Sequence, residues 1–216
     1  MIVQTLVLGP AQTNCYLAWV ESSREGVVRE AVAREAVVID PAWEADAILA
    51  AARSAELTIA AILLTHGHFD HIGAAADLKE ALGVPLIAHA RELDLLRLDG
   101  GAKLFGLEIR SVPRPDRLVA HGEQIAIGPL QFEVRHVPGH TTGHLAFVEQ
   151  TQRTVFVGDV LFAGSIGRTD LPGGNYDTLI SSLTDHLLTL PDDFKVYPGH
   201  GPPTTIGRER NTNPFL

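Results

Sequence analysis

The sequence predicts an α/β fold, arranged as a single domain over residues 1–216. Apolar runs of strand length alternate along the chain with segments in which apolar residues recur at helical spacing. Hydrophobic residues make up 45% of the chain and charged residues 20%, which is the ordinary balance of a globular protein. A chain of this length buries a substantial core within one domain, so no second domain is needed to explain it.

In the first half of the chain, strands and helices are predicted to alternate. Residues 6–20 and 36–40 are interpreted as strands of a hairpin, and the charged segment 21–35 as the long solvated loop between them. Further strands are expected at residues 59–64 and 85–89. Helical spacing predicts helices at residues 43–55, 74–82 and 91–98, the second of them ended by Gly83.

The second half is richer in strand patterns. Strands are expected at residues 124–127 and 130–137, joined through a Gly-Pro turn, and a second hairpin is expected from residues 144–149 and 153–157. Residues 176–190 carry a helical stripe that should pack on a sheet. The stripe consists of Leu179, Ile180, Leu183, Leu187 and Leu188. A last strand is expected to begin at Val196 and to end before His200.

Charge and composition exclude several classes of partner. The formal net charge is −9 and no cluster of Lys and Arg is present, which argues against nucleic acid. No apolar run approaches the roughly 20 residues that span a bilayer, so no membrane is expected. The amino terminus lacks the pattern of a signal peptide, so a cytoplasmic location is predicted. A small-molecule substrate is the expected partner, and the oligomeric state stays open.

The densest cluster of candidate ligands is the segment at residues 65–71, THGHFDH, which directly follows an apolar run. Imidazole and carboxylate groups together suit zinc, iron or manganese. His66 and His68 are two residues apart, so on an extended segment they project to the same side. Asp70 and His71 follow as the chain turns into a helix, where they can face a second metal. A lone histidine is usually structural, but four candidate ligands at this density indicate a metal site.

Three further candidate ligands stand at the ends of predicted strands. His140, Asp159 and His200 each follow an apolar run and have a glycine next to them. Several strands of one sheet can place their ends at a common edge, and glycine lets the backbone turn sharply there and approach the site. The sole cysteine, Cys15, has no partner for an internal disulfide and is interpreted as a small apolar residue.

The order of these residues resembles that of the metallo-β-lactamase fold hydrolases: HxHxDH, a distant His, Gly-Asp and Gly-His. The segment FAGSIGRTD at residues 162–170 resembles the glyoxalase II-like (hydroxyacylglutathione hydrolase-like) branch. So does the ending that runs from GHGP at residues 199–202 to NPF at residues 213–215. Persulfide dioxygenases also carry a Gly-Arg-Thr-Asp segment. The resemblance covers essentially the whole chain and implies a four-layer αββα sandwich.

Residue by residue, the resemblance implies two divalent metal ions that share one carboxylate. The first is assigned to His66, His68 and His140, the second to Asp70, His71 and His200, with Asp159 as the bridge. Zinc is the metal expected, and iron and manganese are the alternatives. A bound metal lowers the pKa of water to around 7, so a nucleophile exists at neutral pH. Asp70 is also expected to be catalytic, orienting this nucleophile and moving its proton.

Other residues receive supporting roles. Arg168 should stand near the metal edge, where its guanidinium either forks onto a substrate carboxylate or pairs with Asp170 to fix its loop. His144 is expected to support the loop of His140 by hydrogen bonding, and the strand-ending Asp40 is interpreted as structural. Four histidines without ligand context are assigned to the surface or to structural roles, namely His89, His121, His136 and His186.

The resemblance favours hydrolysis of a hydroxyacyl thioester such as S-lactoylglutathione. The main alternative is a persulfide dioxygenase with one iron held by His66, His140 and Asp159, in a facial geometry that leaves positions open for oxygen. A lactonase, a β-lactamase and a non-catalytic metal-binding protein are further alternatives, because a metal core does not choose its substrate. Longer glyoxalase II enzymes hold glutathione with a helical extension that this sequence does not show. The resemblance therefore supports cleavage of a thioester more strongly than it supports glutathione as the thiol carrier.

Overall fold

A computed structural model describes residues 1–21 and 34–216. The first sheet comes from the first part of the chain, and its strand order follows the sequence. Its strands are β1 (Ile2–Leu8), β2 (Thr13–Trp19), β3 (Arg34–Ile39), β4 (Leu57–Leu63), β5 (Leu86–His89) and β6 (Arg117–Val119). The helices in this part are α1 (Ala45–Ser54), α2 (Phe69–Ile72), α3 (Ala75–Leu82) and α4 (Leu93–Arg97), with 3₁₀ segments at Ala90–Glu92 and Asp99–Phe105.

The second sheet has the order β14-β13-β10-β9-β8-β7. Its strands are β7 (Gln124–Ile127), β8 (Leu130–His136), β9 (Leu145–Glu149), β10 (Thr154–Gly158), β13 (Lys195–Pro198) and β14 (Thr204–Thr205). A small separate hairpin joins β11 (Leu161–Phe162) to β12 (Ser165–Ile166). The helices in this part are α5 (Tyr176–Ser182), which continues into a π turn at Leu183–Leu187, and α6 (Ile206–Thr212).

Three apolar layers hold these elements together and define a four-layer αββα sandwich, as predicted. Between the sheets, Tyr16 and Leu63 of the first sheet pack against Phe132, Phe147 and Phe156 of the second. A second layer joins α1 and α3 to the outer face of the first sheet. The third layer joins α5 and its π turn to the outer face of the second sheet, and it buries Leu179, Leu183 and Leu187 of the predicted stripe.

The amino-terminal prediction is wrong in one respect. Residues 6–20 form not one strand but the end of β1 and the whole of a second, antiparallel strand, β2. The chain reverses between them, with Gly9 at φ +70° and Gln12 at φ +53°, and the amide of Gln12 donates to the carbonyl of Gly9 at 3.1 Å. The apolar residues on both sides of this tight turn hid it, although Gly9-Pro10 is a turn signal.

The predicted loop at residues 21–35 falls mainly on residues 22–33, which lie outside the described residues. Its last two residues, Arg34 and Glu35, belong to β3, which pairs with β2 as the predicted hairpin requires. Strands β6 and β14 and helix α6 were not predicted, because each is short and carries a weak periodic pattern. Among the described residues, no helix has the length and apolar character needed to cross a membrane, and the cytoplasmic location stays a prediction.

Strand directions bring the candidate ligands to one edge of the sandwich. β10 runs parallel to β13, and β8 has the same direction because β9 is antiparallel to both β8 and β10. The carboxyl ends of these three strands therefore point the same way. The main chains of the two sheets meet at this edge, where the amide of Leu145 donates to the carbonyl of Thr65 at 2.7 Å.

The layer between the sheets should dominate stability. Phe132 is fully buried there and contacts the rings of Phe147 and Phe156 edge-on. We expect Phe132→Ala to lower the free energy of unfolding by about 3–5 kcal/mol, because it removes buried area and leaves a cavity. Urea unfolding followed by circular dichroism measures this loss. Val7→Ala, at a position 59% exposed, is the control and should change stability by less than about 0.5 kcal/mol. A similar small loss in Phe132→Ala would contradict the assignment of the core.

Candidate metal centre

The predicted ligands come together from four strand ends. His66 and His68 lie on the loop between β4 and α2, and Asp70 and His71 lie in the first turn of α2 itself. The other three follow β8, β10 and β13, and they are His140, Asp159 and His200. All seven side chains thus face one region of the shared edge, although they span more than 130 residues of sequence.

One group consists of His66, His68 and His140. One ring nitrogen from each lies within 4.8 Å of the others, which is close enough to hold one metal ion. Nδ1 of His68 and Nε2 of His140 are 2.9 Å apart. All three side chains are buried, so they form a concave set of imidazoles of the kind that zinc, iron and manganese accept.

A second group consists of Asp70, His71 and His200, whose ligand atoms also lie within 4.8 Å of one another. Oδ2 of Asp70 is 3.2 Å from Nε2 of His200 and 3.6 Å from Nε2 of His71. His200 remains partly exposed, with 31% of its side-chain surface accessible. This group therefore forms the side of the site that is open to a substrate.

Asp159 lies between the two groups. Its Oδ1 atom is 3.3 Å from Nε2 of His71. Its Oδ2 atom is 3.4 Å from Nε2 of His200 and 3.7 Å from Nε2 of His140. The carboxylate is therefore adjacent to histidines of both groups, which is the position that a carboxylate shared by two metal ions would need.

Buried polar atoms without hydrogen-bond partners support metal binding. Within the described part of the chain, Nε2 of His66, Nε2 of His71 and Oδ1 of Asp159 are all buried and make no hydrogen bond, and the last two atoms face each other at 3.3 Å. Leaving such an atom unsatisfied costs about 1–3 kcal/mol, and here three of them point into one cluster. Imidazole nitrogens and a carboxylate oxygen are ligands for a transition metal, so the residues fit divalent metal ions.

Electrostatics differ between the two groups. Burial and the neighbouring imidazoles lower the pKa of His66 well below its usual value, and they lower that of His68 to about 3. Burial also lowers the pKa of His140, although Asp159 opposes this shift. These three rings are therefore neutral at pH 7, and neutral imidazole is the form that binds a metal.

Carboxylates reverse the shift in the second group. Burial disfavours charge on His71, but Asp159, Asp70 and Asp40 raise its pKa well above the usual value. Burial also disfavours charge on His200, and hydrogen bonds to Asp159 and Asp70 raise its pKa to about 9. Protonated His71 and His200 thus offset the negative charge of these carboxylates. A divalent cation bound here would take over that role and release the protons.

Asp40 orients His71 from outside the cluster. Its carboxylate accepts hydrogen bonds from the amide and hydroxyl of Thr65 at 2.7 and 2.6 Å, and it lies 2.9 Å from Nδ1 of His71. Asp40 is close enough to His66 and His71 to form a third possible metal group. Because it occupies the Nδ1 side of His71, it instead fixes the ring with Nε2 turned toward Asp70 and Asp159. The structural role predicted for Asp40 is confirmed.

His144 supports the site through both its side chain and its main chain. Its Nε2 atom accepts a hydrogen bond from the amide of Asp159 at 3.1 Å. Its ring stacks on that of His66 with centroids 4.6 Å apart. The side chain therefore positions Asp159 and His66, whereas the His140 loop is supported by the main chain of His144, whose carbonyl accepts a hydrogen bond from the amide of Val137 at 2.8 Å. His144 and Asp159 are 15 residues apart in the sequence, and no sequence pattern connects them, so this contact could not be predicted.

Arg168 contributes through both its side chain and its main chain. Its guanidinium forks onto Asp170, with N–O distances of 2.7 and 2.8 Å, which is the loop pair considered from the sequence. Its carbonyl lies 2.8 Å from Nδ1 of His140 and accepts a hydrogen bond from that ring. Both side chains of the pair are more than half exposed, and a role of Arg168 in substrate binding stays a prediction.

Sequence reasoning missed three buried polar residues around the site. The hydroxyl of Thr13 donates to Oδ2 of Asp70 at 2.8 Å. The side-chain amide of Asn14 donates to the carbonyls of Pro198 and Gly201, which flank His200. Glu92 contacts both loops that carry the first group. Thr13 and Asn14 are polar residues at the start of the otherwise apolar β2, which is a weak signal that does not name their partners, and Glu92 carries no signal in the sequence. The other histidines lie outside the cluster in two ring pairs, His89 with His136 and His121 with His186.

The family model of the metallo-beta-lactamase superfamily matches residues 8–200, and the chain belongs to this superfamily of metal-dependent hydrolases. A relative from Haemophilus influenzae, named hydroxyacylglutathione hydrolase GloC, is 40% identical over 100% of this chain and 98% of its own length.

Solved structures show the same fold over nearly the whole chain. A structure of TTHA1623 in a di-iron-bound form is 44% identical, with a TM-score of 0.87, covering 99% of this chain and 100% of that one. The BLEG-1 B3 metallo-beta-lactamase is 38% identical, with a TM-score of 0.90, covering 100% and 99%. ETHE1 from Myxococcus xanthus is 32% identical, with a TM-score of 0.77, covering 99% and 84%.

A substitution at Gly199 tests how closely the main chain packs against Asp159 and His71. A Cβ atom there would lie 2.0 Å from Oδ1 of Asp159 and 2.5 Å from Cε1 of His71. We expect Gly199→Ala to displace both side chains and to reduce the zinc bound per chain relative to wild type, measured by elemental analysis after dialysis. The matched control is Gly201→Ala, because a Cβ there meets no atom within 4 Å although φ is +72°. It should cost about 1 kcal/mol in stability and keep its zinc. Full zinc binding in Gly199→Ala would contradict this geometry.

Proposed function

We propose that this superfamily hydrolase cleaves a hydroxyacyl thioester such as S-lactoylglutathione, using two divalent metal ions. The observation that carries the proposal is the position of Asp159, whose two oxygens are adjacent to histidines of both groups. The relative named hydroxyacylglutathione hydrolase, which matches the chain from end to end, supports this choice of substrate class.

In this proposal the seven side chains hold the metals. One ion would be held by His66, His68 and His140 and the other by Asp70, His71 and His200, and Asp159 would be available to both. Such ions supply a nucleophile at neutral pH by lowering the pKa of water, and they polarise the acyl carbonyl. Zinc is the metal that we propose, and iron is the first alternative, since a structural relative has been solved with two iron atoms.

Asp70 has a second role in the proposal. Oδ2 of Asp70 is fixed by the hydroxyl of Thr13 at 2.8 Å and by Nε2 of His200 at 3.2 Å. Burial opposes ionisation, but His71, His200 and Thr13 together lower the pKa of Asp70 to about 2. The carboxylate is therefore ionised at neutral pH and held in one orientation, so it can accept a hydrogen bond from the attacking water, and a pKa this low makes it an orienting acceptor rather than a strong base.

The same fold also carries other reactions, so the substrate must be tested directly. The likeness to a B3 metallo-beta-lactamase makes β-lactam hydrolysis one competing activity. A persulfide dioxygenase is the second competing activity. Its single iron would be held by His66, His140 and Asp159, and the second group that contains Asp70 and His200 would then bind no metal. Protein loaded with zinc, iron or manganese should be assayed against S-lactoylglutathione, a lactone, a β-lactam and glutathione persulfide.

We expect thiol release from S-lactoylglutathione as the fastest reaction, and no oxygen consumption with glutathione persulfide. Thiol release is followed with a chromogenic thiol reagent and oxygen with an electrode. Oxygen uptake by the iron-loaded protein without thioester cleavage would replace the proposal by the dioxygenase. Faster cleavage of the β-lactam or the lactone than of every thioester would replace it by that hydrolase.

Asp70→Ala should lower turnover on the best substrate by about 100-fold or more, because one positioned proton acceptor contributes this much. The comparison requires equal metal content, measured on the same samples. Asp94→Ala is the control, since Asp94 is an exposed residue on α4 that pairs with the exposed Arg97, and it should keep full turnover. Turnover within threefold of wild type in Asp70→Ala would remove Asp70 from the mechanism.

We propose that the guanidinium of Arg168 leaves Asp170 and pairs with a carboxylate of the substrate when the substrate binds. Arg168→Ala should then raise KM about tenfold with little change in kcat, the loss expected for one charged hydrogen bond made equally in ground and transition states. Asp170→Ala distinguishes this role from loop fixing. It breaks the same pair but leaves the guanidinium available, so its KM should stay at or below that of wild type. An equal rise in both variants would limit Arg168 to holding its loop.

A further inference from the structure

Glu92 is a buried carboxylate that the proposed mechanism does not use. It ends the 3₁₀ segment Ala90–Glu92 just before α4, and only 1% of its surface is exposed. Among the described residues it makes no ion pair with a Lys, Arg or His side chain. A buried ionised group without a cation is costly unless hydrogen bonds compensate it, so its partners should reveal what it does.

Three donors surround this carboxylate, and each is 2.7 Å away. The amide of Gly67 donates to Oε2. The hydroxyl of Thr141 and the amide of Gly143 both donate to Oε1. All three bonds are buried and at good hydrogen-bonding distance. The carboxylate therefore receives only donors, and these hydrogen bonds partly offset the burial that raises the pKa of Glu92.

These donors belong to the two loops that carry the first histidine group. Gly67 lies between His66 and His68, and Thr141 directly follows His140. One side chain from outside both loops thus connects them. Glu92 is 25, 49 and 51 residues from these donors along the chain, so it joins the two loops only through the fold, beside the main-chain hydrogen bond from Leu145 to Thr65.

The two glycines show how closely the loops approach Glu92. A Cβ atom at Gly143 would lie 2.7 Å from Oε1 and 2.9 Å from the main-chain nitrogen of Glu92. A Cβ atom at Gly67 would lie 3.0 Å from Oε2. Side chains at these positions would push the loops away from the carboxylate. Their backbone amides reach it because both residues are glycine.

We propose that Glu92 is a positioning residue that fixes His66, His68 and His140 in a common geometry and so sets the metal affinity of this group. The inference rests on the proposed function, in which these histidines hold a metal ion. Removing a hydrogen-bonding partner behind metal ligands typically weakens metal binding by 10–100-fold. Glu92 acts on the main chain of two loops at once, so we expect an effect in that range.

The test is a zinc titration of metal-free Glu92→Gln in competition with a chromophoric chelator. Glutamine has nearly the same shape, but its NH₂ group must face at least one of the three donors, so one loop loses its attachment. Wild type should bind two zinc ions, and Glu92→Gln should bind one of them at least tenfold more weakly. The thermal shift on adding zinc should shrink accordingly, because stabilisation by a ligand follows its affinity.

Glu209→Gln is the matched control. Glu209 is also fully buried, and its carboxylate accepts hydrogen bonds from the main-chain amide of Gly164, the hydroxyl of Thr204 and the side-chain amide of Asn213, with Nε of Arg208 at 3.9 Å. None of these donors is next to a proposed metal ligand. This variant should lose stability in the metal-free form to a similar degree and yet bind zinc as wild type does. Weakened zinc binding in both variants would reduce the effect of Glu92→Gln to general destabilisation.

Substitutions at Thr141 test the same contact if Glu92→Gln does not fold. Thr141→Val removes one donor to Glu92 and should weaken zinc binding several-fold, while Thr141→Ser keeps the hydroxyl and should restore it. Unchanged zinc affinity in Thr141→Val and in any folded Glu92→Gln would overturn the role of Glu92 while the metal centre stands. A wild-type chain that binds no zinc, iron or manganese would instead overturn the proposed function, and with it this inference.

Discussion

The packing of three aspartates around the buried His71, with Asp40 and Asp159 buried and Asp70 partly exposed, is the interaction on which the rest of the site depends. Asp40 holds its Nδ1 atom, while Asp70 and Asp159 face its Nε2 atom. Such carboxylates are stable in a low-dielectric interior only when positive charge accompanies them. The fold meets this requirement by directing the carboxyl ends of strands from both sheets to one edge, where carboxylates and imidazoles balance one another. Metal affinity follows from this balance, since a divalent cation satisfies the same carboxylates.

Much of the site was predictable because its candidate ligands lie in short sequence motifs. The segment at residues 65–71 places four candidate ligands in a row, and His140, Asp159 and His200 each stand where an apolar run ends beside a glycine. The superfamily and the αββα sandwich follow from the order of these motifs, and both are confirmed. The assignment of the seven residues as ligands stays a prediction, although the structure gathers them at one edge.

Residues that act through distant partners were not predictable. Thr13 contacts Asp70 across 57 residues, and Glu92 contacts Thr141 across 49. A buried Glu or Thr in a single sequence looks like any surface residue, because its partner becomes visible only when the chain is folded. His144 shows the same limit, since its supporting role was foreseen but its partner was not. The merged strand at residues 6–20 has a different cause, namely a tight turn between two apolar runs.

The contacts of Pro198 have a consequence for the order of folding. Its carbonyl accepts hydrogen bonds from Asn14 and Tyr16, which precede it by 184 and 182 residues. Contacts between residues so far apart in the sequence are expected to form late, because closing the long intervening loop costs conformational entropy. A chain emerging from the ribosome therefore carries His66 and His71 long before His200 can join them. The open side of the centre is completed last, when the carboxyl-terminal strand docks against the amino-terminal sheet.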